Sequence, residues 1–432
     1  MTVIQNTSER LVRSRLDGLT AGRLTLESPH GIEAFGPGGD PEAHIYVHDR
    51  SLFRALAFGG HVGAGEAYMD GAWTTEDLTA VVRLFLRNRD VLDGLETGWA
   101  RLAAPLRAVA HAWNRNTRRG ARRNIQAHYD LGNDFFALLL DETLTYSAAL
   151  FEGEERSLAE ASEAKYDRIC RKLGLAPEHH VVEIGSGWGG FAVHAASRYG
   201  CRVTTTTISP RQHEVAVERV REAGLSDRVD VLLSDYRDLR GSYDRLVSIE
   251  MIEAVGHHYF GTFFERCAAL LRPDGFAAIQ AITIQDRYYE SARKEVDFIK
   301  RYVFPGSCIP SVSVLTGAAA PTDLRLVHFD DMTPDYAETL RRWRTRFLER
   351  WSEIRSLGFD ERFKRLWDFY FCYCEGGFDE AVLGSVQLTF AKPDARVPVP
   401  LLRDVEGGGA AVPRGPRLEP SREVRASGGA RG

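Results

Sequence analysis

A glycine-rich turn directly after a short apolar run constrains this chain more than any other segment. The run Val181–Ile184 precedes Gly185-Ser186-Gly187-Trp188-Gly189, and residues 191–198 then follow a helical periodicity. Glycine is required where the backbone turns sharply or must come into contact with a ligand. The N-terminus of a helix behind such a turn also favours a negatively charged group. The pattern therefore predicts a buried strand, a tight turn and a helix that together bind a nucleotide-like ligand.

The order of the acid and the glycines separates two kinds of nucleotide-binding turn. In the dinucleotide fingerprint the acid follows the glycines by about 20 residues. Here Glu183 precedes Gly185, Gly187 and Gly189. This order resembles the first motif of class I S-adenosylmethionine (SAM) methyltransferases, whose glycines pass under the amino-acid end of the cofactor. The alternative is an ordinary strand-to-helix turn that binds nothing.

Size and composition indicate a globular protein of several parts. The 432 residues are 44% hydrophobic and 27% charged, and the net charge of −5 argues against a general nucleic-acid binder. No apolar run approaches the ~18 residues that span a bilayer. Residues 1–15 lack the apolar region of a secretory signal, so we expect a cytoplasmic protein. The six cysteines show no zinc-like spacing, and we expect no metal site.

Alternating strand and helix patterns divide the chain into segments. Residues 1–20 are predicted to be a flexible N-terminus or a short helix, and 21–98 a small α+β domain with strands at 23–26 and 44–47 and helices at 51–58 and 75–88. From residue 124 to 395 the patterns predict an α/β domain with a doubly wound sheet. Its strands are expected at 181–184, 202–207, 229–234, 245–249, 276–284 and 386–390, with aromatic insertions at 286–320 and 336–378. Residues 403–432 are predicted to be disordered.

A basic linker is predicted between the two domains, at residues 99–123. Its C-terminal half contains Arg115, Arg118, Arg119, Arg122 and Arg123, and its N-terminal half is amphipathic. A basic patch beside amphipathic sequence suits an anionic lipid surface. The alternative is a solvated arginine-rich linker.

Polar residues that follow the predicted strands are candidates for ligand contacts, because the carboxyl ends of parallel strands border the crevice of such a fold. Thr207 and Gln212 follow the second strand, where many nucleotide folds place an acid for the ribose. The run 234–239 follows the third strand, and Glu253 follows the fourth. We therefore expect Glu253 to point into the crevice.

Several motifs together resemble one enzyme family, the cyclopropane-fatty-acid synthases and mycolic-acid methyltransferases. They are His128–Phe136, Thr145-Tyr146-Ser147, Gly185–Gly189, Asp235–Asp238, Glu253–Gly256 and Tyr302–Gly306. Gly65–Gly71 is similar to the N-terminal domain of the longer, phospholipid-acting members. The resemblance implies a class I SAM methyltransferase sheet with aromatic insertions. It also implies transfer of the SAM methyl group to a cis double bond of an acyl chain in membrane phospholipid.

The resemblance assigns roles to individual residues. Those matching cofactor contacts are Tyr146, Ser147, Glu183, Gly185, Ser186, Gly187, Trp188, Gly189, Thr207, Gln212, Asp235, Tyr236 and Arg237. The family holds a bicarbonate ion as the proton acceptor, and Glu253, Tyr336 and the backbone of Ile282 match positions that bind it. Ala148 replaces a usual Cys, and Gln280 replaces a His. A neutral amide can hydrogen-bond the ion but cannot take up its proton.

Cyclopropane formation is the leading expectation from this resemblance, and C-methylation without ring closure is its alternative. Both need an apolar site in which aromatic groups stabilise a carbocation. A small-molecule N-methyltransferase and a lipid-binding protein with an inactive site are further alternatives. Cys374 matches a cysteine once proposed as catalytic, although a buried structural thiol is its other interpretation. The expected partner is phospholipid at the inner face of the membrane, bound peripherally, with no nucleic acid; a homodimer is left open.

Overall fold

The computed structural model describes residues 3–89, 131–151 and 156–396. The predicted linker at 99–123 and the predicted tail at 403–432 lie outside the described residues. Within the described ranges, no helix has the length and apolar content needed to cross a lipid bilayer.

Residues 3–89, called the N-terminal domain below, form a small sheet with three helices. In chain order the elements are α1 (Val3–Leu16), β1 (Gly22–Ser28), β2 (Gly31–Gly38), β3 (Glu42–Val47), α2 (Ser51–Met69), β4 (Trp73–Thr74) and α3 (Leu78–Arg87). The strand order is β2-β1-β3-β4, with β1 parallel to β3 and antiparallel to β2. The strands predicted at 23–26 and 44–47 lie in β1 and β3, whereas β2 was not predicted.

The helix predicted at 51–58 is longer than its sequence pattern indicates. Helix α2 continues to Met69 through a kink at Gly60, whose φ of 55° is one that glycine adopts readily. Two glycines, Gly59 and Gly60, interrupt the apolar periodicity and explain why the prediction ended at Phe58.

Residues 131–396, called the C-terminal domain, are built on a seven-stranded sheet. In chain order its elements before β9 are α4 (Asn133–Leu139), α5 (Leu158–Lys172), β5 (His180–Ile184), α6 (Gly190–Tyr199), β6 (Arg202–Thr207), α7 (Pro210–Glu222), β7 (Val229–Leu233), β8 (Tyr243–Ile249) and α8 (Phe260–Leu270). The remaining elements are β9 (Leu271–Ile284), α9 (Asp286–Ala292), α10 (Phe298–Tyr302), α11 (Val312–Ala319), β10 (Arg325–Asp331), α12 (Thr333–Glu349), α13 (Trp351–Ser356), α14 (Glu361–Asp379) and β11 (Leu383–Ala391).

The order of these strands confirms the doubly wound α/β fold. It reads β10-β11-β9-β8-β5-β6-β7, with β5 to β9 parallel and β11 antiparallel to β9 and β10. The connection order reverses at β5, which lies between β6 and β8, and ligands of such folds bind at the carboxyl ends of the strands there. Six strands coincide with predicted ones. The seventh, β10, was missed because this edge strand is mostly exposed and lacks the apolar run of an interior strand.

The two domains share one hydrophobic core along helix α14. Residues of β1 and α2, such as Leu24 and Phe53, belong to the same buried cluster as Trp343 and Phe371 of the C-terminal domain. Helix α14 packs on α12, α2 and α3. At Gly65 in α2, a Cβ atom would approach the Phe298 ring to 2.6 Å, so the absence of a side chain permits this close contact. The domain contact is therefore extensive and apolar.

Candidate active site

The glycine turn leaves the chain's backbone open to the crevice beside β5. The amides of Gly185 and Ser186 both donate to the Thr206 carbonyl, at 3.0 and 2.9 Å, and this ties the turn to β6. A Cβ at Gly185 would come within 3.1 Å of Met251, and one at Gly187 would meet no protein atom within 4 Å. The open space at Gly187 fits a ligand that contacts the main chain.

Glu183 lies at the end of β5, immediately before this turn. Its carboxylate accepts a hydrogen bond from Thr205 Oγ1 at 2.5 Å and is only 2% exposed. Burial raises the pKa of Glu183 to about 7. A buried acid that accepts a donor here can orient a polar end of a bound cofactor.

The residues expected on the ribose and adenine sides converge on the same crevice. Thr207 Oγ1 donates to Gln212 Oε1 at 2.9 Å, and the Arg237 guanidinium donates two hydrogen bonds to the Asp235 carboxylate at 2.8 and 2.6 Å. The Tyr236 hydroxyl is buried and has no hydrogen-bond partner among the described residues. Buried hydroxyls are almost always hydrogen-bonded in folded proteins, so a ligand fits this position. The donor set suits the adenosine part of SAM.

Tyr146 and Ser147 are held in place by two buried groups. The hydroxyls of Tyr146 and Tyr370 are 3.0 Å apart, and Lys165 Nζ donates to Ser147 Oγ at 2.7 Å. Lys165 is completely buried in α5, and burial lowers its pKa to about 8. The sequence prediction missed Lys165 because its helix precedes the glycine turn and carries no motif of its own.

Glu250, which was not among the predicted site residues, accepts three hydrogen bonds at the centre of the site. Its Oε1 accepts from the Ala148 amide at 2.9 Å and from Gln280 Nε2 at 2.8 Å, and its Oε2 accepts from the Tyr336 hydroxyl at 2.8 Å. Loss of solvent raises the pKa of Glu250, although Lys165 opposes the shift. Its φ of 49° is a strained left-handed value for a residue with a side chain, and such strain is concentrated at functional sites.

Glu253 accepts a hydrogen bond from the backbone of Ile282, another of the expected positions. Its Oε1 accepts from the Ile282 amide at 2.5 Å, and its Oε2 is buried without a partner among the described residues. Burial, followed by repulsion from Glu250, raises the pKa of Glu253 to about 8. Glu253 is therefore mainly protonated at neutral pH, and its carboxyl lies near that of Glu250.

The residues expected to bind bicarbonate are hydrogen-bonded to Glu250 or to one another. Three of the expected positions, Ala148, Gln280 and Tyr336, donate to Glu250, and the other two, Glu253 and Ile282, bond each other. A further anion would lie against two acids in a medium of low polarity, which is unfavourable. The Glu250 carboxylate accepts the hydrogen bonds of Ala148, Gln280 and Tyr336 instead. Glu250 could have been found from the sequence, since it directly follows the strand predicted at 245–249.

One continuous cavity of about 520 Å³ joins these groups. Among the predicted cofactor residues all but Gly189 line it, and of the predicted catalytic residues Glu253, Ile282, Tyr336 and Cys374 line it. Ala148 and Gln280 lie behind it. Within the predicted aromatic insertions at 286–320 and 336–378, Phe304, Phe369 and Tyr370 line the cavity, whereas Trp343, Phe347, Trp367 and Phe371 pack in the core.

The Cys374 thiol faces this cavity from α14. Burial raises its pKa well above the usual range, so the thiol is not ionised at neutral pH. Because the thiolate is the nucleophilic form, this environment is that of a structural cysteine.

The comparisons with known proteins agree with this geometry. Residues 116–388 match the family model described as mycolic acid cyclopropane synthetase. The tuberculostearic acid methyltransferase UfaA1 of Mycobacterium tuberculosis is 38% identical over 88% of this chain and 91% of its own length. The cyclopropane-fatty-acyl-phospholipid synthase of Escherichia coli is 35% identical over 82% of this chain and 89% of its own.

Solved structures of mycolic acid enzymes match the C-terminal domain. The cyclopropane synthase MmaA2 from Mycobacterium tuberculosis is 32% identical, with a TM-score of 0.59, and the match covers 63% of this chain and 98% of that one. The mycolic acid cyclopropane synthase CmaA1, solved with SAH and CTAB, is 30% identical at the same TM-score and coverage. The chain belongs to the mycolic acid cyclopropane synthetase family, and it is a SAM-dependent methyltransferase with the class I fold.

Proposed function

We propose that this enzyme transfers the methyl group of SAM to a cis double bond of an unsaturated acyl chain in a membrane phospholipid, and that Glu250 accepts the proton lost from the product. The observation that carries the proposal is the Glu250 carboxylate, held by Ala148, Gln280 and Tyr336 on the wall of a cavity that also contains the glycine turn.

The cavity supplies what an alkene needs in order to react. An isolated double bond is a weak nucleophile, so it must be aligned closely with its electrophile. When bound, SAM supplies an electrophilic methyl group, and the glycine turn with Thr207, Gln212 and Tyr236 would hold it. Tyr146 and Phe304 both line the cavity, and their ring centroids are 6.3 Å apart. Aromatic faces at this point stabilise the positive charge that develops on the acyl chain and exclude water.

Glu250 then removes one proton. In the overall step the sulfur–methyl bond breaks, a carbon–carbon bond forms, and a carbon–hydrogen bond gives up its proton to the carboxylate. Lys165 lowers the pKa of Glu250 and so favours the ionised form that a base requires. The neighbouring Glu253, with a pKa of about 8, stays protonated and keeps Ile282 in position.

The favoured product is an open-chain acyl group with a methylene branch, or with a methyl branch beside a remaining double bond, because loss of one proton from the cation leaves one unsaturation. In this proposal the Glu250 carboxylate, which is fixed to the protein, takes the place of the bicarbonate ion that the family resemblance implies. The removal of the proton is the step that decides between ring closure and an open-chain product. The relative with 38% identity is named as a tuberculostearic acid methyltransferase, which supports this choice. Ring closure is the second candidate, because a relative with 35% identity is named as a cyclopropane synthase.

The enzyme is proposed to work at the cytoplasmic face of the membrane, bound peripherally. The name of the Escherichia coli relative refers to acyl phospholipid, and the arginines at 115–123 suit an anionic lipid surface. Whether the chain forms a homodimer is left open.

The test uses purified protein, SAM and vesicles of anionic phospholipid with either cis-unsaturated or fully saturated chains. Mass spectrometry of the extracted lipids should show an added CH2 unit in unsaturated chains only. Addition to saturated chains, to the headgroup or to a soluble amine would contradict the proposal.

A further inference from the structure

The active-site cavity does not end at the C-terminal domain. Its wall continues into the interior of the N-terminal domain, where Leu24, Leu26, Ile45, Phe53, Leu56 and Phe85 line it. These residues belong to β1, β3, α2 and α3, so the cavity enters the space between the small sheet and its helices. A packed domain core normally has few voids larger than a water molecule, so this internal space calls for an occupant.

Helix α14 borders both parts of the cavity. Tyr370 and Phe378 contact the reacting centre, because the Tyr370 hydroxyl is 3.0 Å from that of Tyr146 and the Phe378 ring stacks on Tyr336 at 4.5 Å. Phe369 and Tyr373, on the same helix, contact α2 through Tyr68 and His61 at 5.8 and 6.4 Å between ring centroids. The helix rise of 1.5 Å per residue separates Phe378 from Phe369 by roughly 13 Å. An extended chain can therefore pass from the reacting centre into the N-terminal domain.

The lining of this second part is almost entirely apolar. Among the described N-terminal residues that line the cavity, Arg89 is the only Arg, Lys, Asp or Glu, and it lies beyond the end of α3 with its guanidinium 4.1 Å from the Tyr288 ring centroid. Away from Arg89 and His61, burying an ester or a phosphate against such a wall would cost several kcal/mol, because their oxygens would find no donors among the apolar side chains. The methyl end is the only part of a phospholipid without polar groups.

We propose that the N-terminal domain binds the methyl end of the substrate acyl chain and so selects the double bond by its distance from that end. This inference rests on the proposed function. The Gly60 kink and the half-buried Leu56 and Ala64 of α2 form part of the wall of this methyl-end site. The depth of the site then limits how many methylene groups can lie beyond the reacting carbons.

Three acyl chains can distinguish a site that binds the methyl end of the substrate from one that binds the ester end. Oleoyl and palmitoleoyl chains have the double bond at the same distance from the ester, and oleoyl has two more methylene groups beyond it. Vaccenoyl matches palmitoleoyl beyond the double bond and matches oleoyl in total length. A filled methyl-end site should therefore reject oleoyl and still accept both other chains.

The test compares Leu56→Trp and Ala64→Leu with Phe58→Trp, which changes the exposed face of the same helix and does not line the cavity. Vesicles containing each acyl chain serve as substrate, and thermal melting verifies that all variants fold. Since each buried methylene contributes ~0.8 kcal/mol, exclusion of two should lower the oleoyl to palmitoleoyl ratio of kcat/KM by about 15-fold. The vaccenoyl to palmitoleoyl ratio should stay within about twofold in every variant, as should all ratios in Phe58→Trp.

Two results would overturn the inference. If the filled variants lose vaccenoyl instead of oleoyl, the N-terminal domain holds the ester side of the chain. If kcat/KM falls equally for all three acyl chains in both variants, the N-terminal domain does not select the double bond by its distance from the methyl end. Failure of the unaltered enzyme to modify any of the three would instead refute the proposed function.

Discussion

Replacing Glu250 by Gln removes the proposed base with little change in shape. The amide oxygen can still accept from Ala148 and Gln280, but the NH2 group then faces the Tyr336 hydroxyl, whose proton loses its acceptor. An unsatisfied buried donor costs about 1–3 kcal/mol, and the variant also avoids the burial of an ionisable acid, so the two effects on stability oppose each other. We expect a small change in melting temperature.

The effect on turnover should be much larger. A positioned general base contributes typically 10²–10⁴ in rate, so kcat on unsaturated vesicles should fall by about that factor. The affinity for SAM, measured by calorimetry, should change by less than about threefold, because the cofactor residues are untouched. In the unaltered enzyme kcat should rise with pH as Glu250 loses its proton, at a pH above the ordinary range for a glutamate because its pKa is raised. This acid limb should be absent in Glu250→Gln.

Glu253→Gln is the matched control, because it alters the neighbouring carboxyl in the same way. Glu253 is protonated at neutral pH and Gln resembles that form, so turnover at pH 7 should be largely retained. A fall in kcat of less than tenfold in Glu250→Gln, or a larger loss in Glu253→Gln than in Glu250→Gln, would refute the assignment of the base.

Stability measurements on Glu253→Gln and activity measurements on variants of Lys165 and Cys374 give independent tests. The pKa of Glu253 is about 8 in the folded protein, against 4.5 for an ordinary glutamate, so the cost of burying this acid grows as pH rises between these values. Glu253→Gln should therefore raise the free energy of unfolding by on the order of 3 kcal/mol at pH 7 and by little near pH 4, and equal effects in denaturant titrations at the two pH values would contradict the buried acid. Lys165→Met should shift the acid limb of the kcat profile to higher pH, since Lys165 lowers the pKa of Glu250, and should weaken SAM binding through Ser147; Lys165→Arg serves as the charge-retaining comparison. Cys374→Ala should keep kcat within about twofold, because a thiol with a raised pKa is not a nucleophile. A much larger loss of kcat in this variant would contradict the structural role of Cys374.

The glycine turn and the sheet were predictable because the local sequence pattern and the arrangement of the α/β fold indicate the same elements there. An apolar run, an acid and alternate glycines at 181–189 determine strand, turn and helix within ten residues, and β5 to β9 all lie where apolar runs occur. The edge strand β10 lacks that pattern, since only one side of it pairs with another strand. Its position follows from tertiary pairing with β11, which no local pattern encodes.

The centre of the site was only partly predictable for a related reason. Glu250 and Glu253 both follow the same strand, and the criterion of a strand end cannot tell which carboxylate receives Tyr336. That depends on the left-handed backbone at Glu250 and on the register of β8 against β9, which pairs Ile249 with Gln280. The cavity inside the N-terminal domain likewise depends on packing between α2, α3 and α14 rather than on any motif.

Carbon NMR with SAM carrying a ¹³C-labelled methyl group tests the central claim most directly. The enzyme is incubated with oleoyl phospholipid vesicles, and the position of the label in the extracted lipid is determined. The account predicts the label on a former double-bond carbon of the acyl chain, as a methyl or methylene group. A cyclopropane signal would contradict the favoured product, and a label outside the acyl chain would contradict the assignment of the cavity itself.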